Sequence, residues 1–491
     1  MRAEVIWLAL AAYLLAGIVV AAIARRNLAR GVESFYLGGR ALGGVVSALS
    51  YSATTFSAFM MLGLAGLTYT GGVGALGFEL IYLAGLSLVA IFGPRFWLVG
   101  RRFGYITPSE MIGDRYESRP LAVVMALMSC LFLVPYSAVQ LMGIGYLLSG
   151  TTGGDISFAT GVAIGAGLAV LWTLVAGLRS VAWTDALQAL IMVVGGLLAV
   201  GFVVYSLGGL GSFIGQLEAD HGAKLAVPGP GLFRFETFVA LTLPWFFFSI
   251  SNPQVSQRLF TTESLAAMRT MIIGFLVFGF VFTLISIVWG LSALLLVPDL
   301  DNPDMATPSI LASGALPPWL ALVLIIGVLA AAVSTIDSIV LTLASMVSRD
   351  VFRHAVANSG EASQLLVGKI VIVVMVALAA MFASLQVDLI SLLSVASSAG
   401  LLVTVPAIVG AFFWRRGTAA GALSSMVAGG LLVTWWQFGG VSPLGVPAAV
   451  MALCVAIVIF VGVSLATSAP KAKARAFIDD IRVDLDRRNI S

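Results

Sequence analysis

The sequence predicts an all-α polytopic membrane protein of about thirteen transmembrane helices. Hydrophobic residues make up 60% of the chain and charged residues only 10%. Apolar stretches of about twenty residues, the length that crosses a bilayer as a helix, recur from one end to the other. The net charge of +3 is small, but the basic residues fall on alternate connections between the stretches, and that placement sets orientation.

The apolar segments lie at 5–24, 43–69, 74–98, 121–148, 156–176, 182–206, 236–256, 271–297, 319–347, 366–386, 389–413, 418–438 and 445–467. With the N-terminus outside, the odd-numbered connections face the cytoplasm. They collect Arg25, Arg26, Arg30, Arg95, Arg101, Arg102, Arg179, Arg258, Arg269, Arg349, Arg353, Arg415 and Arg416. The other side keeps Arg2, Lys224 and Arg234 beside the acids Asp299, Asp301 and Asp304. The charge rule therefore predicts a multi-pass protein of the cytoplasmic membrane, N-terminus out and C-terminus in.

The first segment ends in Ala22-Ile23-Ala24, which looks like a signal cleavage site. Its basic cluster follows the apolar run instead of preceding it, so a retained helix is expected. In the second segment Ser47, Ser50, Tyr51, Ser52, Thr54, Thr55 and Ser57 crowd the first half, and Gly63, Gly66, Gly71, Gly72 and Gly74 follow. Membrane Ser and Thr can bond back to the carbonyl four residues earlier, and Gly lets helices pack closely. This density nonetheless predicts an interrupted helix whose freed carbonyls serve as cation ligands near the midplane.

Glu79 in the third segment is costly at hydrocarbon depth, which assigns it to solute binding or to a polar neighbour. Cys130 and Cys454 lie inside apolar segments, where small buried hydrophobes are their usual role. Asp185 stands near the start of the sixth segment, six residues after Arg179, so pairing with a nearby Arg is its plain structural alternative. In the seventh segment Pro244, Trp245, Ser249, Ser251, Asn252, Pro253, Gln254, Ser256 and Gln257 interrupt a Phe-rich run. Pro253 cannot donate a backbone bond and crowds the preceding turn, which predicts unwinding near Asn252.

The ninth segment contains Ala-Ala-Ala-Val-Ser-Thr-Ile-Asp-Ser at 330–338. Ser334, Thr335, Asp337 and Ser338 have no water at that depth, so they must face a cavity, an ion or one another. Oxygens of this kind suit a hard cation that has shed part of its water. Ion-coupled transport is the reading that follows. An extra first helix followed by two inverted five-helix repeats would put the broken helices first in each repeat, around a midplane site.

That arrangement divides the chain into 1–41, an extra helix and cytoplasmic linker, and 42–206, the first repeat. An external linker (207–235), the second repeat (236–416), two C-terminal helices (417–467) and a cytoplasmic tail (468–491) follow. In the tail Phe477, Ile481 and Leu485 recur at helical spacing, which predicts a short amphipathic helix on the inner membrane surface, with a solvated tail as the alternative. No signalling module is expected after the last segment.

An enzyme is not expected. The cysteines lack metal-ligand spacing, His221 and His354 fall in linkers on opposite sides, and neither a nucleophile with its base nor a phosphate-binding loop is visible. No organic cofactor and no nucleic-acid partner are expected. The partners are a small solute and the lipid bilayer.

Several segments, in this order, resemble the sodium:solute symporter family, which includes proline and pantothenate permeases and sodium-coupled sugar transporters. They are Phe35-Tyr36-Leu37-Gly38-Gly39-Arg40, Leu62-Gly63-Leu64-Ala65-Gly66, the run from Gly177 to Gln188 with its Trp183-Thr184-Asp185, Asn252 to Arg258, and Ala330 to Ser338. The resemblance implies inverted repeats of the amino-acid:sodium transporter type working by alternating access, with sodium as the coupling ion. It places the main sodium site on the carbonyls of Ala53, Phe56 and Ala331 and the hydroxyls of Ser334 and Thr335. A second cation site, found in some members, would join Asp185, Asp337 and Ser338 to Ser334.

The resemblance also puts solute contacts on the broken segments and their neighbours: Met60, Glu79, Trp245, Ser249, Asn252, Gln254, Ser394 and Ser397, with Phe59 and Ser398 beside them. Neither the sugar pattern nor the proline pattern is whole, since Met60 replaces a polar Gln and Thr55 replaces an Asp. The segment pattern favours a carboxylate of the pantothenate or monocarboxylate kind. Glu79 favours a solute with donors, such as a polyol, an amine or a zwitterion. The alternatives are proton coupling through Asp185 and Asp337, and sodium-coupled uptake of a sugar, an amino acid or another zwitterion.

Overall fold

The computed structural model describes residues 1–24, 31–227, 233–356, 359–386, 390–437 and 446–488. Arg25, Arg26 and Arg30 of the expected basic cluster lie outside these residues. Within them the chain is helical, with an isolated β-bridge between Leu42 and Thr262. Helix α1 (Ala3–Ala24) is followed by a bent pair, α2 (Gly44–Thr55) and α3 (Phe59–Gly71), which meet at 53°. Next come α4 (Gly74–Phe103), α5 (Pro108–Arg115), α6 (Arg119–Thr152), α7 (Phe158–Leu174), α8 (Gly177–Ser206) and α9 (Leu210–His221).

The second half opens with another interrupted helix, α10 (Phe235–Ser251) and α11 (Pro253–Ser256). It continues through α12 (Leu265–Leu296), α13 (Ala306–Ala312), α14 (Pro318–Met346), α15 (Glu361–Ala383), α16 (Ile390–Leu401) and α17 (Val405–Phe413). A C-terminal pair, α18 (Ala419–Gln437) and α19 (Ala448–Ala466), packs against itself and is followed by the short α20 (Lys471–Arg475) and α21 (Ile481–Asp486).

Among the described residues ten helices are long and apolar enough to cross a membrane, and eleven when the bent pair counts as one span. The expected fifth and seventh segments form the shorter α7 and α10. Both expected interruptions are present. After α2 the backbone of Phe56 turns extended (φ −85°, ψ 90°), and after α10 Asn252 does the same (φ −90°, ψ 112°) with Pro253 opening the next turn. The kink between α7 and α8 falls at Gly177, whose φ of 59° is left-handed and whose neighbour is the Phe35 backbone, so a side chain there would be strained twice over.

Helix α14 is the axis of the molecule. It packs along the Phe158–Ser206 stretch and against α2, α6 and α15, and from Gly327 to Met346 every residue is buried. A helix apolar nearly all round belongs in such a place. Its few polar side chains, described below, therefore meet other parts of the protein and not lipid.

The C-terminal tail departs from the expectation of a membrane-surface helix. Phe477, Ile481 and Leu485 are buried, but against protein: the Phe477 ring stacks on Phe103 (centroids 5.8 Å apart, planes at 9°) and touches Phe412 and Tyr105. Lys473 donates to Asp114 at 2.5 Å, Arg102 to Asp480 at 2.9 Å, and Arg415 pairs with Asp479. The amphipathic pattern was legible, while the identity of the apolar partner was not, because ends of α4, α5 and α17 present an aromatic seat that no local pattern reveals. The tail thus ties those ends together.

Truncating a buried Phe to Ala typically costs about 3–5 kcal/mol. Phe477→Ala is therefore expected to release the tail and leave the helix bundle folded. Trypsin should then cut at Lys471 and Lys473 many times faster than in the parent protein, with little change in melting temperature. Equal cleavage rates would mean that this ring does not hold the tail.

Candidate ion and solute sites

The break between α2 and α3 begins with hydroxyls turned onto their own helix: Ser52 donates to the Ala48 carbonyl and Thr55 to that of Tyr51, both at 2.8 Å. Beyond Phe56 the freed amides are met one by one. Ala58 N–H donates to Gln140 Oε1 of α6 at 3.1 Å, and Phe59 N–H donates to Ser57 Oγ at 3.1 Å. Backbone groups at this depth have no water to turn to, so a Gln inside an apolar helix is what makes the interruption tolerable. Gln140 was not singled out from the sequence, although its place in the middle of a membrane segment was the available signal.

Helix α14 crosses the break. Ser334 Oγ lies 3.0 Å from the Ala53 carbonyl and 3.0 Å from that of Ala331, and Thr335 Oγ1 lies 3.2 Å from the Ala53 carbonyl and 3.4 Å from that of Thr54. Ala53, Ala331, Ser334 and Thr335 are thus brought together, with Phe56 standing in the extended turn beside them. The two hydroxyls donate to these carbonyls. Rotating each O–H away would turn its lone pairs, and the released carbonyls, toward a common point, which is a donor set of neutral oxygens suited to a hard monovalent ion.

One helical turn along α14 the charges differ from expectation. Arg258, counted from the sequence among the cytoplasmic charges, is only 3% exposed. Its Nη2 donates to Ser338 Oγ at 2.6 Å and Thr54 Oγ1 at 3.1 Å, and lies 3.4 Å from Asp185 Oδ2. Ser50 Oγ donates to the same Asp185 oxygen at 2.8 Å. Asp337 accepts a bond from Thr173 of α7 at 3.3 Å. A guanidinium therefore joins Asp185 to Ser338, where a second cation was expected, and Asp337 is held on a different neighbour. Asp185 pairs with an Arg as the plain alternative foresaw, though with Arg258 and not with one near Arg179.

Of the expected solute residues, Met60, Glu79 and Trp245 line one small cavity with Phe59, Thr55, Tyr82, Tyr136 and Phe248, leaving about 10 Å³ between them. Glu79 is 2% exposed, and its Oε2 has no hydrogen-bond partner. Ser249, one turn after Trp245, is buried with its hydroxyl unpartnered; Asn252 Oδ1 and both amide atoms of Gln254 are likewise unpartnered at the second break. Ser394 and Ser397 do not reach the cavity: each hydroxyl donates to its own helix, to Ile390 and Leu393 at 2.9 Å, and Ser397 borders an apolar groove against α6 and α15. Tyr82, Tyr136 and Phe248 were missed because, in sequence, they look like ordinary apolar filling.

Polar contacts close both ends of this region. Away from the tail, Thr307 of α13 donates to the Met61 carbonyl and accepts from Trp289 Nε1 at 2.9 Å, and Asp304 accepts the Ile390 amide at 2.8 Å. Toward the tail, Gln257 donates to the Ile106 carbonyl at 2.8 Å and to Ser345 Oγ at 2.9 Å, and accepts from Thr342 at 2.7 Å.

Comparison with known proteins gives the family and the fold. The sodium/pantothenate symporter of Escherichia coli (strain K12) is 28% identical over 484 residues, covering 96% of this chain and 99% of that protein. The sodium/proline symporter of the same organism is 26% identical over 457 residues, covering 87% of each. Among solved structures, a Na⁺-coupled sialic acid symporter in a substrate-bound outward-open state superposes with a TM-score of 0.80 at 19% identity, covering 95% of this chain and 99% of that one. A nucleobase-cation-symport-1 family transporter in a closed conformation matches at 0.55 and 15% identity over 90% of this chain and 98% of that one. These structures fix the fold as that of the amino-acid:sodium transporter type, and the model of the sodium:solute symporter family matches residues 35–429. The chain is a multi-pass membrane transporter and belongs to the sodium:solute symporter family.

Proposed function

We propose that this protein imports a small organic solute together with one sodium ion across the cytoplasmic membrane by alternating access. The observation that carries the proposal is the convergence of Ser334 and Thr335 on the Ala53 carbonyl at a helix break. In this reading Ala53, Phe56, Ala331, Ser334 and Thr335 hold the sodium. Arg258 supplies the counter-charge to Asp185, so a second sodium would have to compete with a resident guanidinium. Proton coupling is the rival reading, and pairing of Asp185 with Arg258 weighs against it.

The orientation proposed is N-terminus out and C-terminus in. It is supported by the basic residues gathered at the tail end, where Arg102 and Arg415 bond the tail while Arg349 and Arg353 pair with Glu110. Solute entry from the other end requires the Thr307 and Asp304 contacts to part, and release requires those of Gln257 and Arg258 to part. The relatives carry pantothenate in one case and proline in another. A carboxylate finds no basic side chain in the cavity wall, while the Glu79 carboxyl and the hydroxyls of Thr55, Tyr82 and Tyr136 offer acceptors, which favours a solute with donors among those weighed from sequence.

A hydrogen-bonding oxygen facing a charge contributes about 1.5–3 kcal/mol, or roughly ten- to hundredfold in affinity. Ser334→Ala and Thr335→Ala are each expected to raise the sodium concentration for half-maximal uptake by that factor, and the parent should show a Hill coefficient for sodium of about one. Sodium activation unchanged in both variants would sink the ion site. Removing one member of a buried ion pair costs about 3–5 kcal/mol, because the other charge is left uncompensated. Arg258→Gln should accordingly lower the melting temperature of the purified protein by several degrees, and adding Asp185→Asn should restore most of the loss. A double variant as unstable as the single one would show that the pair does not balance charge.

A further inference from the structure

We infer that Gln140 is a positioning residue for the ion site: it keeps the α2–α3 break unwound and thereby sets the affinity for sodium. The inference rests on the ion reading above and adds to it a residue that touches no ion. In a continuous helix each N–H bonds the carbonyl four residues back, so the N–H groups of Ser57 and Ala58 would close on the carbonyls of Ala53 and Thr54. These are the carbonyls that the α14 hydroxyls reach at the break. The winding of α2 ends with the Phe56 N–H, which bonds the Ser52 carbonyl at 2.7 Å. The Ala58 N–H, which would carry the helix on to Thr54, goes to Gln140 Oε1 at 3.1 Å instead.

Gln140 is placed to hold that bond. It is fully buried, and its Nε2 is directed at the Tyr136 carbonyl of its own helix, 3.5 Å away, which leaves Oε1 for the break. One turn on, Gly143 lets α6 come close: a Cβ there would stand 2.9 Å from Leu62 and 3.0 Å from Ala58. An N–H deprived of Gln140 at this depth has no water to turn to and must take another acceptor from the chain. Its helical partner is the Thr54 carbonyl. That bond would draw Phe56 out of its extended turn, swing the Thr54 carbonyl along the α2 axis and bring the Ser57 N–H onto the Ala53 carbonyl. Loss of the Gln140 acceptor thus takes carbonyl ligands from the ion without altering any of them. Ala58→Pro would guard the break by other means, because proline has no N–H and its ring clashes with the carbonyl four residues back. The Ala58 φ of −52° suits a proline, and Gln140→Leu, one atom shorter, makes room for the ring.

The test is the apparent sodium Kd of the purified full chain, read from the rise in melting temperature as sodium replaces potassium at constant ionic strength. Gln140→Leu is expected to weaken sodium binding by about tenfold, the worth of one neutral hydrogen bond. Gln140→Glu keeps an acceptor oxygen at the same reach and should bind sodium at least as tightly as the parent. The double variant Gln140→Leu/Ala58→Pro should recover most of the lost affinity, which it would not do if Gln140 served only as packing. The recovery is measured against the parent, so it decides the matter even where Gln140→Leu does not fold alone. Sodium binding unchanged in Gln140→Leu, weakened in Gln140→Glu, or as weak in the double variant as in the single one would overturn the inference and leave the ion reading standing. A parent protein with no sodium shift at all would overturn both.

Discussion

Everything in this molecule depends on how the backbone groups freed at the α2–α3 break are satisfied without water. An unwound turn at hydrocarbon depth survives only where protein lines it. Here the solution is divided by direction. Donors released at the break are met by Gln140 and Ser57, whereas the Ala53 and Thr54 carbonyls are met by the hydroxyls of α14. That asymmetry has a consequence. An amide held on Gln140 or Ser57 is released only when that side chain leaves its rotamer, whereas a carbonyl held by a hydroxyl is released when the O–H alone turns. On the proposed function, the break thus favours a cation over an anion.

A second constraint comes from α8. Asp185 is fully buried, and a carboxylate there requires a partner of opposite charge in place before any ion arrives. Arg258 meets that need from the turn that follows α11, so the two interrupted helices are joined through one guanidinium that touches Thr54 of the first and belongs to the second. Buried ion pairs seldom add net stability; their best-attested use is to specify one arrangement among several. At this position Arg258 ties the tail-side ends of both breaks to α8 and α14, and in the proposed cycle an opening of that side that parts these elements separates charges that have no water to go to. The barrier is electrostatic, and it lies next to the proposed ion site.

Much of the fold was legible because its signals are local. Twenty-residue apolar runs, the Ser/Thr crowding before Phe56 and the Pro253 step are written in short windows; both interruptions appear at the expected residues, and ten or eleven of the thirteen runs form membrane-length helices among the described residues. What failed is what depends on helical phase or on distant partners. Ser394 and Ser397 sit on the right helix, but a hydroxyl that bonds its own carbonyl is silent about what it faces. Arg258 follows a broken helix and reads as a loop charge, since nothing local tells that the chain turns inward there. Phe477, Ile481 and Leu485 announce an apolar face without saying whether lipid or protein will cover it.

In the proposed function, coupling between the two sites follows from how few residues separate them. Ala53 and Phe56 belong to the proposed ion site, and Thr55, Phe59 and Met60 line the cavity, so a single turn of unwound chain serves both. An ion that draws the Ala53 carbonyl and the α14 hydroxyls together fixes that turn, and with it the direction in which Phe59 presents its ring to Trp245. A solute that parts Phe59 from Trp245 works on the same turn from the other side. Whatever one ligand spends in ordering this segment the other need not spend again, which is positive cooperativity in its simplest physical form. The coupling therefore needs no long pathway through the protein, only a stretch of backbone from Ala53 to Met60 that can be ordered once.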